Sequence, residues 1–215
     1  MPSDCPSIDL ANDRFVSGAY SLRNAREAEA FYRVWADDYE DHMVGELGYC
    51  SPRLVAERLI RHLGDTAAEV LDVGCGTGLT SELLSERGFR SIDGIDLTVS
   101  MLEKARTRGI YRKLIQADLN KPIDLPERSY DAMVSSGTFT CGHVGPEPLD
   151  ELVRLLRPGG LLSFSIHMDI WEPAGFRATL DRLVEHGQLA CVERELDRFF
   201  ESLDPAGWFF VYRRL

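Results

Sequence analysis

The first chemical signal in this 215-residue sequence is a glycine-rich turn, Asp72-Val73-Gly74-Cys75-Gly76-Thr77-Gly78, directly after a short apolar run. Glycines allow a tight turn and let a ligand approach the backbone without interference from a Cβ atom. The spacing does not fit the G-x-G-x-x-G pattern of a dinucleotide site, because Leu79 and Ser81 stand where the third glycine would be. The turn therefore predicts a nucleotide-like ligand that is not NAD.

Two further aspartates stand at the ends of the next two apolar runs, Asp96 in Ile95-Asp96-Leu97 and Asp118 in Gln116-Ala117-Asp118-Leu119. An ionised carboxylate accepts hydrogen bonds, so Asp96 suits a ribose diol and Asp118 suits the exocyclic amine of adenine. Either aspartate alone is more often a helix cap or a solvated loop residue. Together with Asp72 they place an acidic residue at the end of three successive predicted strands, which caps do not explain.

Alternating apolar runs and helical patterns predict the elements that position these residues. The predicted strands cover 69–73, 91–97, 111–119, 130–136, 161–167, 189–199 and 208–214. Helices are predicted between the first five, at 77–87, 98–108 and 148–156, and near 173–186. Strands separated by helices favour a parallel α/β sheet with helices on both faces. The last two strands are joined by only a few residues, which favours an antiparallel C-terminal hairpin.

The N-terminal part of the chain has no strand pattern. Residues 1–22 are rich in Ser, Pro, Asp and Asn, and we expect a flexible N-terminal arm. Residues 23–66 are expected to form an N-terminal helical cap, with aromatic side chains at helical spacing between Asn24 and Met43 and a second helix opening at Ser51-Pro52. Residues 67–215 then form the ligand-binding core, and the whole chain is expected to be a single domain.

Composition narrows the class of protein and its location. The net charge is −11 and no basic block is longer than Arg213-Arg214, which disfavours a nucleic-acid partner. No apolar stretch approaches the roughly 18 residues that span a bilayer, and the first residues lack a signal-peptide pattern. The five cysteines never form a C-x-x-C pair. We therefore expect a cytoplasmic protein, a monomer or homodimer, with no membrane partner and no metal.

The joint pattern resembles the class I S-adenosylmethionine-dependent methyltransferases over roughly residues 30–215. The motifs that carry the resemblance are 69–78, 94–102, 116–119, 130–135 and 156–160. Within that family, Ser135-Ser136-Gly137-Thr138-Phe139 with Gly142-His143-Val144-Gly145 resembles the Williams–Beuren-region methyltransferase-like group, as does Gly48-Tyr49 followed by Pro52. The resemblance implies a Rossmann-like seven-stranded methyltransferase sheet and an enzyme that uses S-adenosylmethionine and releases S-adenosylhomocysteine.

The resemblance also implies which residues contact that cofactor. They are Tyr32, Trp35, Tyr39, Asp72, Gly74, Cys75, Gly76, Thr77, Gly78, Asp96, Leu97, Met101, Asp118, Leu119 and Ser135. Asp96 is expected to take the ribose hydroxyls and Asp118 the adenine amine, while the glycine turn faces the methionine part. Tyr32, Trp35 and Tyr39 either cover the methyl-donor end or simply pack an aromatic stripe on the core.

Two histidines are candidates for a general base, should the methyl acceptor have to lose a proton. His143 stands in a glycine-flanked loop after the fourth predicted strand, and His167 follows the fifth. Each could equally serve to order its loop. Phe139, His143 and Trp171 are candidates for the substrate pocket, although the two aromatic residues could instead belong to the core.

The acceptor itself is expected to be a small molecule methylated on oxygen, nitrogen or sulfur. The string after the fourth strand is Ser135-Ser136-Gly137-Thr138, not the Asn-Pro-Pro-Tyr or Asp-Pro-Pro-Tyr of many amino-methylating enzymes, and no insertion is long enough for a recognition domain. Two alternatives remain open: a protein methyltransferase, and a non-catalytic partner subunit that binds S-adenosylmethionine.

Overall fold

The computed structural model describes residues 13–215, and these residues contain a seven-stranded sheet with the order β3-β2-β1-β4-β5-β7-β6. The strands are β1 Glu69–Val73, β2 Ser91–Asp96, β3 Lys113–Gln116, β4 Tyr130–Phe139, β5 Leu156–His167, β6 Leu189–Asp197 and β7 Gly207–Arg214. Strands β1 to β5 pair in parallel, and β7 runs antiparallel to both β5 and β6. The predicted mostly parallel sheet with an antiparallel C-terminal hairpin is confirmed.

Helices cover both faces of this sheet. They are α1 Arg14–Tyr20, α2 Ala25–Trp35, a π-helix at Asp41–Glu46, α3 Ser51–His62, α4 Leu79–Glu86, α5 Val99–Thr107, α6 Pro148–Leu155, α7 Met168–Trp171 and α8 Phe176–Glu185. Within residues 13–215, none of the helices combines the length and apolar character needed to cross a membrane.

The central strand β1 shows why the sheet has helices on both sides. Its side chains alternate between two buried apolar clusters, with Leu71 and Val73 in one and Val70 in the other. The first cluster also takes residues of α6 and α8, and the second takes residues of α1, α3 and α4. Because successive side chains of a strand point to opposite faces, a continuous apolar run is the expected sequence of a strand buried on both sides.

The fifth strand begins five residues earlier than predicted. Pro158-Gly159-Gly160 was expected to separate a helix from a strand starting at residue 161, but β5 starts at Leu156, which pairs with Tyr130. Regular pairing then resumes between Ala132 and Leu161 after an irregularity in register. The proline and glycines are therefore accommodated in a bulged stretch of the strand, a position where both residue types are tolerated.

The prediction of a flexible arm over residues 1–22 is wrong for its second half, and its first twelve residues lie outside the described part of the chain. Asp13 accepts hydrogen bonds from the backbone N–H groups of Phe15 and Val16, both at 2.9 Å, and so caps α1. Val16 and Ala19 of this helix are buried. The polar residues of this stretch favour an arm rather than a helix in the sequence, and one of them, Asp13, is in fact the residue that caps the helix.

Candidate active site

A cavity of about 170 Å³ lies between the carboxyl ends of β1, β2 and β4 and the N-terminal helices α1 and α2. In an open α/β sheet this is where ligands bind. Eleven of the predicted site residues line it: Tyr32, Trp35, Tyr39, Gly74, Gly76, Asp96, Leu97, Met101, Asp118, Leu119 and His143. The structure thus brings together residues from five separate parts of the sequence.

The glycine turn forms one wall of the cavity. Gly74 has a φ of +67°, and a Cβ atom at this position would collide with the Thr138 hydroxyl. Gly76 has open space where a Cβ would stand, with no heavy atom within 4 Å. The Cys75 N–H donates to the Ile95 carbonyl at 2.9 Å, which fixes the turn to the end of β2. Bare backbone therefore faces the cavity, as a close-fitting ligand requires.

Asp96 lies where β2 ends and faces the same cavity. Its two carboxylate oxygens accept from the backbone N–H groups of Gly76 at 2.9 Å and Thr98 at 2.8 Å. Burial raises the pKa of Asp96, while these two hydrogen bonds act to lower it. Each oxygen has a further lone pair, so the carboxylate can still accept from two hydroxyl groups of a ligand.

Asp118 lies at the far end of the cavity, after β3. One of its oxygens accepts from the backbone N–H of Asn120 at 3.0 Å, and the other lies 3.1 Å from the Lys121 amine. Although partial burial acts to raise its pKa, these contacts hold the pKa of Asp118 below the ordinary value. The residue therefore stays an ionised acceptor at neutral pH.

Asp72, in contrast, is buried beneath the turn and does not line the cavity. Its carboxylate accepts from the hydroxyl groups of Ser81 at 2.6 Å and Tyr111 at 2.8 Å. Burial raises the pKa of Asp72 to about 6. These contacts fasten the end of β1 to α4 and to the segment before β3, so Asp72 holds the turn in place from below.

Four other residues predicted to contact the cofactor also build the turn and do not line the cavity: Cys75, Thr77, Gly78 and Ser135. Ser135 is buried, and its hydroxyl donates to the Val73 carbonyl at 2.8 Å. This bond ties β4 to the last residue of β1. The sequence motif therefore combines residues that line the cavity with residues that shape it.

Three aromatic side chains, in α2 and just after its end, pack together beside the cavity, while their role over the methyl-donor end stays a prediction. Tyr32, Trp35 and Tyr39 line the cavity, and Trp35 is also buried in an aromatic stack. The Trp35 ring stacks on Phe15 with centroids 4.9 Å apart and on Tyr32 at 5.9 Å. Its indole N–H is buried and has no hydrogen-bond partner among residues 13–215.

His143 lies in the cavity wall and joins the loop after β4 to α2. Its Nδ1 atom lies 2.8 Å from the Cys141 carbonyl oxygen and 2.9 Å from the Thr140 hydroxyl, and its Nε2 atom lies 2.6 Å from the Tyr32 hydroxyl. Because a carbonyl can only accept, Nδ1 carries the proton and Nε2 accepts from Tyr32. Burial lowers the pKa of His143, so the ring is a neutral base at neutral pH.

Comparison with known proteins identifies the family. Residues 71–164 match the model of a family described as "Methyltransferase domain". Methyltransferase-like protein 27 of Homo sapiens is 34% identical over 178 residues, which are 80% of this chain and 72% of that protein. This chain belongs to the S-adenosylmethionine-dependent methyltransferases.

Two further matches agree with the assignment of the chain to this methyltransferase family. Phosphatidylethanolamine N-methyltransferase of Cereibacter sphaeroides is 31% identical, with 82% of this chain and 77% of that protein covered. The solved structure of an S-adenosylmethionine-dependent methyltransferase from Mesorhizobium loti shares the fold, with a TM-score of 0.57 and 20% identity, over 74% of this chain and 98% of that one. The resemblance inferred from the sequence motifs is confirmed.

The second candidate base of this methyltransferase, His167, lies outside the cavity lining. It is fully buried, with its ring 5.5 Å from that of Phe199 and 5.7 Å from that of Tyr20. Its Nδ1 atom accepts from the backbone N–H of Asp169 at 3.3 Å and so caps α7. Burial lowers the pKa of His167. The structure therefore brings His143, and not His167, to the methyltransferase cavity.

Phe139 and Trp171 are core residues of the methyltransferase, so their assignment to the substrate pocket is corrected. Phe139 is fully buried and packs its ring 5.5 Å from Phe176. Trp171 is buried with its ring 5.2 Å from Phe210. The reason for the first error lies in β4, which continues through Phe139 after an irregularity between Ser135 and Phe139. The bulge directs residues 136–138 to the cavity and returns Phe139 to the core.

Other aromatic residues line the methyltransferase cavity in their place: Tyr20, Tyr49, Phe199 and Phe200. Tyr49 forms an isolated antiparallel bridge with Phe200, and their rings lie 5.3 Å apart. The Tyr49 hydroxyl lies 3.4 Å from that of Ser136. The Gly48-Tyr49 string indicates the family resemblance but not this position, and no sequence motif marks the loop before β7 as part of the site.

Proposed function

We propose that this methyltransferase transfers a methyl group to an oxygen, nitrogen or sulfur atom of a small molecule. The observation that carries the proposal is the packing of α1 against the loop after β4. A Cβ atom on Gly142 would lie only 2.8 Å from the backbone carbonyl oxygens of Ala19 and Tyr20, so the helix and the loop are in direct contact. This contact closes one side of a small cavity and favours a compact acceptor over a polypeptide segment.

The residues that line the cavity fit the cofactor of the family. S-adenosylmethionine supplies an electrophilic methyl group on a sulfonium when it is bound. We assign the ribose hydroxyls to Asp96 and the adenine amine to Asp118, and we place three apolar side chains around the base. These are Leu97, Met101 and Leu119. The bare backbone at Gly74 and Gly76 accommodates the methionine part, and the two carboxylate acceptors suit the hydroxyl and amine donors of adenosine.

The chain's own contribution to the reaction is to orient the acceptor and exclude water. Correct placement of the attacking atom accounts for a large part of the rate of a displacement reaction. Tyr32, Trp35 and Tyr39 line the cavity from the N-terminal side and Phe199 and Phe200 from the C-terminal side. An apolar enclosure of this kind excludes water around the acceptor atom.

The experiment that tests this proposal separates acceptors by size. The protein is incubated with methyl-labelled S-adenosylmethionine and a cell extract, and the label is then followed in the low-molecular-weight and macromolecular fractions. We expect label in the low-molecular-weight fraction, and less of it with the Asp96→Ala variant at a subsaturating concentration of S-adenosylmethionine. Label on protein would show a protein methyltransferase. Cofactor binding without any transfer would favour a non-catalytic subunit, and both results would contradict the proposal.

A further inference from the structure

The charges around the cavity are unevenly distributed. The only charged side chains that line it within the described residues are Asp96 and Asp118, and no lysine or arginine does. Both aspartates lie on the side that the proposed function gives to adenosine. The remaining lining carries no charged side chain, and Tyr20, Tyr49 and Phe199 are among its aromatic residues. An acceptor with a carboxylate or phosphate that entered this part would lose its hydration and find no lysine or arginine side chain to pair with, which disfavours it relative to a neutral molecule.

One hydrogen-bonded chain crosses this aromatic part. It runs from the Tyr32 hydroxyl to His143 Nε2 at 2.6 Å, and from His143 Nδ1 to the Cys141 carbonyl oxygen at 2.8 Å. Since the carbonyl fixes the proton on Nδ1, the Tyr32 proton points to Nε2 and the lone pairs of the Tyr32 oxygen remain available. Tyr32 and His143 both line the cavity. The hydrogen-bonded pair of Tyr32 and His143 can therefore accept one proton at the Tyr32 oxygen and pass the Tyr32 proton to His143.

Resting on the proposed function, we infer that the acceptor is a neutral molecule with an acidic O–H, N–H or S–H group on an apolar body, and that Tyr32 receives its proton. Phenols are the type compounds of this class. Tyr32 is then the catalytic residue that touches the acceptor, and His143 acts through it.

The proton and charge balance of this step is complete. As the acceptor atom forms its bond to the methyl carbon, its proton moves to the Tyr32 oxygen, and the Tyr32 proton moves to His143 Nε2. The electron pair of the broken acceptor–hydrogen bond stays on the acceptor atom, and the pair of the broken carbon–sulfur bond stays on sulfur. The positive charge lost by the sulfonium is then carried by the imidazolium of His143, whose Nδ1–H still donates to Cys141.

The surroundings of both side chains suit this exchange. Burial lowers the pKa of His143, so that the ring is neutral and ready to accept a proton. Burial raises the pKa of Tyr32, so that the hydroxyl keeps its own proton until His143 takes it. Neighbouring Tyr49, Tyr20 and Asp96 raise the pKa of Tyr32 further. Tyr32 therefore carries no charge before the acceptor arrives, and the pocket stays neutral.

Three matched compounds test the acceptor class by equilibrium binding. They are 4-nitrophenol, 4-nitroanisole and 4-nitrobenzoate, titrated into protein saturated with S-adenosylhomocysteine at a pH where the phenol is neutral. We expect 4-nitrophenol to bind about tenfold more tightly than 4-nitroanisole, which cannot donate a hydrogen bond, and 4-nitrobenzoate to bind at least about tenfold more weakly than the phenol. Equal affinities, a preference for the benzoate, or no binding of any of the three would overturn the inferred class.

Variants test the role of Tyr32 in the same assay. Tyr32→Phe should abolish the preference for 4-nitrophenol over 4-nitroanisole. Tyr130→Phe is the matched control, because it removes a buried hydroxyl that donates to Asp93 at 3.0 Å outside the cavity lining, and it should keep the preference. A preference that survives in Tyr32→Phe would contradict the assignment of the proton acceptor.

A spectroscopic measurement is independent of acceptor binding. Nitrogen-15 NMR of the wild-type protein should show His143 with its proton on Nδ1 and with Nε2 as a hydrogen-bonded acceptor, and the Nε2 signal should shift in Tyr32→Phe. A proton found on Nε2 would refute the direction of transfer. Titration with S-adenosylhomocysteine beforehand separates the two proposals. Failure of that ligand to bind counts against the proposed function, whereas normal binding without discrimination among the three compounds counts against this inference alone.

Discussion

Replacement of Asp72 by asparagine is expected to change how the stability of the folded chain depends on pH. Burial raises the pKa of this carboxyl group to about 6 in the folded state, compared with 3.8 for an ordinary aspartate. The folded state therefore binds the proton more tightly than the unfolded state. The resulting stabilisation is complete below the unfolded pKa and is lost as the pH rises through about 6. The difference between the two pKa values corresponds to about 3 kcal/mol.

An asparagine at position 72 cannot ionise, but its oxygen can still accept from Ser81 and Tyr111. Relative to wild type, the free energy of unfolding of Asp72→Asn should therefore rise by up to about 3 kcal/mol between about pH 4 and about pH 8. Urea unfolding without cofactor, followed by tryptophan fluorescence at a series of pH values, measures this difference. A difference between variant and wild type that stays constant over the whole range would refute the assignment of the raised pKa to buried Asp72.

Asp131→Asn is a control, because the pKa of Asp131 is shifted in the opposite direction to that of Asp72. Although partial burial acts to raise its pKa, the Arg157 guanidinium at 2.6 Å and the Glu69 N–H at 2.9 Å hold the pKa of Asp131 below the ordinary value. Its stabilisation is therefore present above the unfolded pKa and is lost as the pH falls. The deficit of this variant relative to wild type should shrink toward low pH, and the same unfolding assay follows it.

Three further substitutions test the site. Asp96→Ala should weaken binding of S-adenosylhomocysteine by about 1–3 kcal/mol in calorimetry, because ligand hydroxyls lose their acceptor, and wild-type affinity would show the ribose assignment to be wrong. Gly142 has a φ of +77° and lies against Ala19, so Gly142→Ala should strain the contact with α1 by about 1–3 kcal/mol. The dissociation rate of S-adenosylhomocysteine should then rise several-fold in stopped-flow measurements, and an unchanged rate would contradict this. Phe139→Leu should cost about 1–2 kcal/mol of unfolding free energy and leave ligand affinity unchanged, whereas weaker binding at wild-type stability would restore Phe139 to the site.

Much of the fold could be predicted because the sheet obeys rules that are visible locally. Buried parallel strands are short apolar runs, and a link of a few residues between β6 and β7 excludes a parallel return. Asp96 and Asp118 reach the cavity because both follow parallel strands, whose carboxyl ends meet at one edge. Helix α1 was missed since its cap, Asp13, stands in a polar stretch. The start of β5 was missed since Pro158 normally interrupts a strand.

The errors in the site have a different physical origin, because they depend on contacts between distant residues. Tyr32 and His143 are separated by 111 positions, so no spacing rule predicts their hydrogen bond. The position of Phe139 depends on a bulge in β4, which moves a side chain from one face of the strand to the other. Asp72 belongs to the family motif, but its carboxylate lies under the turn because it packs against Ser81 and Tyr111 and not toward the cavity.

The most direct test of the central claim is calorimetric titration of the wild-type protein with S-adenosylmethionine, S-adenosylhomocysteine and NAD. The cavity formed by the bare turn at Gly76 and the carboxylates of Asp96 and Asp118 predicts saturable one-to-one binding of the first two ligands and none of NAD. Binding of NAD alone, or of none of the three, would contradict the assignment of this cavity as an S-adenosylmethionine site.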